Sequence, residues 1–323
     1  MMNQKIRSAL LLCAAFLLCF GFAESAGAEK HITRRIAELG ESYMEIDMDE
    51  PEAPPAAMPR IKLERVKFKK NRMSEMLDRY RPARRKGESW EYEISSSLNP
   101  DYGLIWCEEN GLYGPSWCDE SSPHVPLDET DESLRRADAT ARAFLDELGL
   151  PYEYPFYVVQ PWDKPFNADG LIRITARLTI EGIPCNTTIG WTPGSDGGGN
   201  GDATPGAFFT MTRDGELGNV IIRNPVRVVS SREDLTPIRD WESIIEDDKD
   251  RIMQKYCTGD DADSTFTLKQ VEFVMMVDSH QEAYPAWTYI FEHYVPHDRM
   301  ANYKPYSYYF HITYDARTGK AVW

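Results

Sequence analysis

The residues with the best case for chemistry lie near the C-terminus. In "EHYVPH", Glu292, His293 and His297 are of metal-ligating type, and His311 comes later, on the last long segment. Ligation from one helix face needs side chains four residues apart. Pro296 falls inside the His293 to His297 interval and breaks a helix there. Two histidines in an aromatic sheet read as hydrogen-bonded core or surface residues, so no metal is assigned to them. "DADSTFTLKQVE" repeats calcium-loop spacing at Asp261, Asp263 and Glu272. The position where that loop must turn sharply is Phe266, and the alternation of "TFTL" asks for a strand.

A third candidate is "GWTPGSDGGGNGDATPG", Gly190 to Gly206, with Asp196, Asn200 and Asp202 among its glycines. A phosphate cradle needs a helix N-terminus directly downstream, and "AFFTMT" is a strand instead. The stretch reads as a flexible connection between paired strands. No G-x-S-x-G elbow exists, and "RTGKA" lacks the upstream glycine and the trailing Ser or Thr of a phosphate loop. The sequence therefore names no catalytic residue, no metal ligand and no cofactor. A hydrolase survives only as a site assembled from distant residues.

Cysteine chemistry depends on compartment. Lys5 and Arg7, the apolar run "ALLLCAAFLLCFGFA" and the small residues of "SAGA" read as a secretory signal peptide at 1-28 with cleavage expected after Ala28, the alternative being an uncleaved anchor. Leu12 and Leu18 precede Cys13 and Cys19, so neither cysteine sits in a lipobox. Export permits disulfides, and Cys107 with Cys118 is the one mature pair close in sequence. A tight turn at Asn110-Gly111 would set Cys107 opposite Gly114; a wider loop would let the two thiols meet. Cys185 and Cys257 read as small buried apolar residues.

The elements that must position these groups are set by periodicity. Residues 29-125 hold a Pro-rich stretch, a strand near Ile61 to Phe68, a helix at Met73 to Tyr80 and an aromatic hairpin from about Tyr92 to Trp117. "SLRRADATARAFLDELGLP" puts Leu134, Ala137, Ala141, Phe144, Leu145 and Leu148 on one helical face, with Gly149 and Pro151 as the stop. In "LIRITARLTIEG", Ile172 to Ile180 alternate inward, with Arg173, Thr175, Arg177 and Thr179 on a wet face. A hairpin then turns at Asp214-Gly215. "WESIIEDDKDRIMQKYCTG" is a second helix, and "TFTLKQVEFVMMV", "AWTYIFEHYV" and "YSYYFHITYDARTGKAVW" are strands. The matching offsets suggest two tandem helix-plus-antiparallel-sheet repeats at 126-229 and 230-323, an α+β class.

The terminal "YFHITYDARTGKAVW" resembles the end of PepSY-type domains of exported bacterial proteins. The wider order, from "MEIDMDEPEAPPAAMPRIKLERVKF" through "ARAFLDELGL", "IEGIPC" and "RDGELGNVIIRNP", resembles an uncharacterised family of Gram-positive exported proteins and lipoproteins. Those motifs are turns and core positions, and they transfer no catalytic residue. Cys185 stands where such patterns carry an aliphatic residue, and the missing lipobox is a second departure.

Composition bounds the partners. The formal net charge is −16, and removing residues 1-28 takes away two basic and one acidic residue. Such a surface repels phosphates, so no nucleic acid is expected. No later segment resembles a transmembrane span. Arg60 to Lys86 runs against this balance and could dock an anionic polymer, a lipid surface or the acidic part of the same chain. Trp162, Trp191, Trp287, Tyr303, Tyr306 and Tyr309 could stack on sugars or on an extended peptide where exposed. The sequence thus predicts an exported, non-enzymatic envelope protein that binds or regulates a protein or peptide through a sheet edge. The competing expectation is a cell-wall carbohydrate or anionic-polymer binding protein.

Overall fold

Alternating side chains build most of the molecule. The computed structural model describes residues 30–66, 75–76, 79–80, 90–94, 105–109, 130–150, 157–158, 172–186, 205–212, 214–257, 263–278, 280–296 and 305–322. Strand β2 (Ser42–Asp49) shows the rule: Met44, Ile46 and Met48 point into the core, and Glu45 and Asp47 point away.

A seven-stranded sheet runs β1 (His31–Leu39), β2, β13 (Thr265–Val277), β14 (Glu282–Val295), β3 (Ala57–Arg65) and β12 (Val226–Pro237), with β15 (Tyr306–Asp315) pairing the rest of β14. Its pairs are antiparallel except β2 with β13, which is parallel. A six-stranded sheet runs β4 (Trp90–Ile94), β5 (Ile105–Glu109), β11 (Leu217–Arg223), β10 (Gly206–Met211), β7 (Ile172–Ala176) and β6 (Tyr157–Val158). Between the two lies the small hairpin β8 (Thr179–Ile180) with β9 (Ile183–Pro184).

Helix α1 (Glu132–Leu148) packs on the six-stranded sheet: Ala137, Ala141, Phe144 and Leu145 meet Ile174, Phe209, Val220 and Ile222. Asp131 caps its start by accepting from the Ser133 and Leu134 amides, and Gly149 closes it in the left-handed region. Residues 75, 76, 79 and 80 are helical and add Met76 and Tyr80 to this core. Helix α2 (Trp241–Tyr256), capped by Asp240, packs Trp241, Ile244, Ile245 and Ile252 on the seven-stranded sheet.

The expected two helix-plus-sheet repeats are not what the chain builds. The fold is mostly β, and neither large sheet is one continuous segment. The seven-stranded sheet takes strands from 31–65, 226–237 and 265–315; the six-stranded sheet takes them from 90–109, 157–176 and 206–223. Hydrophobic periodicity marks strands without naming partners. Strand β12 comes directly after the β10–β11 hairpin in sequence but pairs with β3, from Val226 opposite Arg65 to Pro237 opposite Ala57.

The supposed wet face of "LIRITARLTIEG" is a second correction. The strand breaks between β7 and β8, and Arg177 and Thr179 are buried. A third concerns the aromatic hairpin expected from about Tyr92 to Trp117: Trp90 to Ile94 of β4 pairs with Glu109 to Ile105 of β5, and Asn110-Gly111 lies outside the described residues. The turn at Asp214-Gly215 is as expected, with the Gly215 amide donating to the Thr212 carbonyl at 2.9 Å. The last turn closes from the Gly319 amide to the Asp315 carbonyl at 2.8 Å, and beyond it the chain makes a single bridge, Ala321 with Tyr314.

Candidate partner-binding edge

Strands β13, β14 and β15 run past the end of α2, and this length mismatch shapes the candidate site. On the α2 face, Trp287, Tyr289 and Phe291 of β14 and Ile312 and Tyr314 of β15 lie in the core with the helix. The Trp287 indole donates to the Arg239 carbonyl at 2.9 Å, and the Tyr289 hydroxyl donates to that of Trp241 at 2.8 Å. Near the helix C-terminus the packing becomes a ladder of rings. Tyr256 stacks on Phe310 with centroids 4.5 Å apart, and Phe310 stacks on Phe291 at 5.2 Å. Farther out, His293 stacks on Phe266 at 4.2 Å, Tyr308 meets His293 edge-on at 4.9 Å, and Tyr306 lies parallel to Tyr308 at 6.3 Å. Tyr306 and Tyr308 at the outer end are 45% and 38% exposed.

His293 anchors this ladder. Its Nδ1 lies 2.6 Å from the Tyr308 hydroxyl, the side chain is buried, and Nε2 has no hydrogen-bond partner among the described residues. Burial pushes its pKa down to about 4, so the ring is neutral at physiological pH. His311 cannot join it at a metal. His293 pairs with Tyr308, whereas His311 pairs with Ile290, an odd number of residues along β14, so the pleat sends the two imidazoles to opposite faces. His297 lies outside the described residues.

The opposite face of the same strands is polar. Ser307, Tyr309 and His311 of β15 stand beside Tyr294, Glu292 and Ile290 of β14. Glu292 is half-buried and makes no hydrogen bond or ion pair among the described residues. Burial first, and then the Glu292 charge, raise the Tyr309 pKa. Lys269 points across this face to Asp47 at 2.6 Å, and Asp47 also meets His31 at 3.0 Å. Farther along, Glu272, Thr288 and Thr313 form a cross-strand row covered by the β8–β9 hairpin and its continuation to Asn186. Arg177, 1% exposed, donates to Glu272 at 2.7 Å and to the Cys185 carbonyl at 3.2 Å; Asn186 donates to the Thr313 hydroxyl at 3.0 Å. That row is filled by the protein's own side chains.

The other sequence candidates are scattered. Glu272 of the calcium-like spacing belongs to the Arg177 pair, Phe266 is in the core of β13, and Asp261 lies outside the described residues. Cys107 sits in β5 opposite Tyr92 and Val220, and Cys118 lies outside the described residues. The Cys185 thiol is buried and pushed up to about 12, which keeps it un-ionised and poorly nucleophilic. Most of 190–206 lies outside the described residues, as do Trp162, Trp191 and Tyr303. From the basic segment, Arg60 pairs with Glu282 at 3.0 Å and Arg79 with Glu147, contacts within the chain itself. Sequence reasoning singled out Tyr306 and Tyr309 but not the pairing of Tyr308 with His293, which needs the β14 to β15 register. Among the described residues no three His, Cys, Asp or Glu side chains cluster to hold a metal, and no helix is long and apolar enough to cross a membrane.

Fold and edge together describe a β-rich scaffold with a ring-lined terminal strand. No family model matches the chain, and no curated protein matches it. Among solved structures, an uncharacterised protein from Eubacterium rectale is similar at a TM-score of 0.55 with 13% identity, over 90% of this chain and 93% of that one. That likeness shows a shared fold. The C-terminal domain of YpeB from Bacillus megaterium aligns at a TM-score of 0.33 with 10% identity, over 79% of this chain and 95% of that one, too loosely to bear on fold or function.

Proposed function

We propose that this chain is an exported, non-enzymatic binding protein of the cell envelope that takes an extended segment of a protein partner onto the outer edge of β15. The signal-type N-terminus supports export. The contrast between the three terminal strands of the seven-stranded sheet carries the rest. Edge strands of soluble proteins are blunted by charge or by bulges. Strand β1 has a bulge between Arg35 and Ala37 and carries Arg34, Arg35 and Glu38. Strand β12 has two irregularities and carries Arg227, Arg232, Glu233 and Asp234. Strand β15 holds ten unbroken pairs with β14 and has no charged residue from Tyr306 to Tyr314. Its only strand partner among the described residues is β14, and the segment Lys320–Val322 bonds its far end at Thr313 and Asp315. The uncharged, unbulged stretch from Tyr306 to Phe310 is suited to strand addition, in which main-chain hydrogen bonds supply affinity.

A photo-crosslinker at Ser307, compared with one at Ser230 on β12, tests this in the producing cells. The expected result is one defined protein captured from Ser307 and not from Ser230, with capture lost in a Tyr309→Pro variant that remains folded, because the Tyr309 amide points to the outer side of β15. Equal capture at both sites, or none at either, would overturn the reading.

A further inference from the structure

We propose that the outer end of β15, Tyr306 to Phe310, is an acid-released flap: protonation of His293 frees it from β14 and opens the ring ladder, while the rest of the seven-stranded sheet stays paired. The device belongs to this chain alone and needs no partner. His293 lies in a row of side chains that crosses five strands on the α2 face: Ala37, Met44, Phe266, His293 and Tyr308. Met44, Phe266 and His293 are each fully buried. The imidazole lies nearly parallel to the Phe266 ring, with 21° between the planes and 4.2 Å between centroids.

This row lacks an acceptor for a second N–H. A neutral imidazole donates from one nitrogen and an imidazolium from both. The Tyr308 hydroxyl, 2.6 Å from Nδ1, accepts from a protonated Nδ1 as well as it donates to a bare one. Nε2 is buried and has no hydrogen-bond partner among the described residues. A cation formed in place would therefore hold an unsatisfied N–H and an uncompensated charge among rings. The elements around it offer no relief. Strand β2 presents Met44, β13 presents Phe266, and β15 presents Tyr306, Tyr308 and Phe310. Helix α2 ends in Tyr256, with the Lys255 ammonium 5.2 Å from its ring centroid, and a second cation nearby would be repelled by it. Glu292 and Tyr309 stand on the opposite face of the sheet. Burial alone lowers the His293 pKa, and neither Asp263, just before β13, nor any other carboxylate counters it.

The proton binds once Nε2 reaches water, and the outer end of the sheet is the short route. Tyr306, Ser307 and Tyr308 are exposed, Tyr309 and Phe310 are half-buried, and Ile312 and Tyr314 lie in the core with α2. The segment Lys320–Val322 also bonds β15 at Thr313 and Asp315, at its buried end. Parting Tyr308 from His293 uncovers the imidazole without disturbing that end. Opening one strand end costs less than unfolding the domain, so acid acts there first.

The test is amide exchange on the mature full-length chain, with rates corrected for their intrinsic pH dependence. Thr313 and Asp315 bond outward to the C-terminal segment, so Tyr308, Phe310 and Tyr314 donate inward to β14. Protection of Tyr308 and Phe310 is expected to fall roughly eightfold from pH 7.0 to pH 5.5, with Tyr314 and Ile252 of α2 unchanged. The His293 ring, followed through its Cε1 proton, should take up its proton together with that loss. In His293→Phe, which keeps a ring against Phe266, the pH dependence of Tyr308 and Phe310 should vanish. The ring titration is read on the unaltered chain, so the test does not depend on the variant folding. Four results would overturn the flap: no loss at Tyr308 and Phe310, an equal loss at Ile252, a loss that survives in His293→Phe, or a His293 ring that protonates while Tyr308 stays protected.

Discussion

Arg177 and Glu272 meet at 2.7 Å where the two large sheets approach each other, with the arginine side chain 1% exposed and the glutamate 10%. The guanidinium also holds the Cys185 carbonyl, and Glu272 accepts from Gln270 at 2.8 Å. An arginine read from its strand as solvent-facing is thus one of the main polar ties of the β8–β9 hairpin to β13.

Removing one partner strands a buried charge, which costs about 3–5 kcal/mol. Glu272→Gln is expected to lower unfolding free energy by that order in urea titration, and Arg177→Met by a similar amount. The double variant Arg177→Met with Glu272→Leu should recover most of the loss, because it leaves no orphaned charge. A double variant as unstable as the sum of the singles would mean that the pair acts through geometry and not charge.

His293 makes stability pH-dependent with a definite sign. Burial lowers its folded-state pKa to about 4 against 6.5 for the free side chain. Between those values the unfolded chain binds the proton and the folded chain does not, so stability present above about pH 6.5 falls as the pH drops toward 4, by up to roughly 3 kcal/mol. Urea midpoints measured across this window should flatten in His293→Phe. His31 acts the other way: Asp49 and Asp47 raise its pKa, so its contribution is present below 6.5 and lost as the pH rises through the raised value. That residue is exposed, and salt should erase its effect.

Gly319 has a φ of +70°, and a Cβ there would lie 2.3 Å from Arg239 Nη1. The same arginine holds Asp247 at 2.6 Å, joining the last turn to α2. Gly319→Ala is expected to cost about 1–2 kcal/mol from the left-handed backbone, and more from displacing Arg239. In an Arg239→Ala background the penalty should shrink to the backbone part. A penalty unchanged by that background would show that the guanidinium moves aside freely.

Helix α1 was legible from Leu134 to the Gly149 stop, two residues short of its start at Glu132, because a 3.6-residue stripe and a glycine cap are local signals. The core strands β13 and β14 were legible from alternation, as were the turns at Gly215 and Gly319. Burial of Arg177 was not, since a lone arginine in an alternating strand reads as solvent-facing until a carboxylate from ninety-five residues away is placed beside it. The edge character of β15 was equally hidden: nine uncharged residues look the same in a central strand and a terminal one.

What the amino-acid order determined by itself were elements, helix stops and turns, because these depend on neighbours within a few residues. Tertiary structure alone decided the partners of β3 and β12, the opposite faces taken by His293 and His311, and the pairing of Tyr308 with His293. Strand pairing is a long-range choice among many alternating segments of similar hydrophobicity, and the pattern along any one of them does not say which other strand completes its hydrogen bonds.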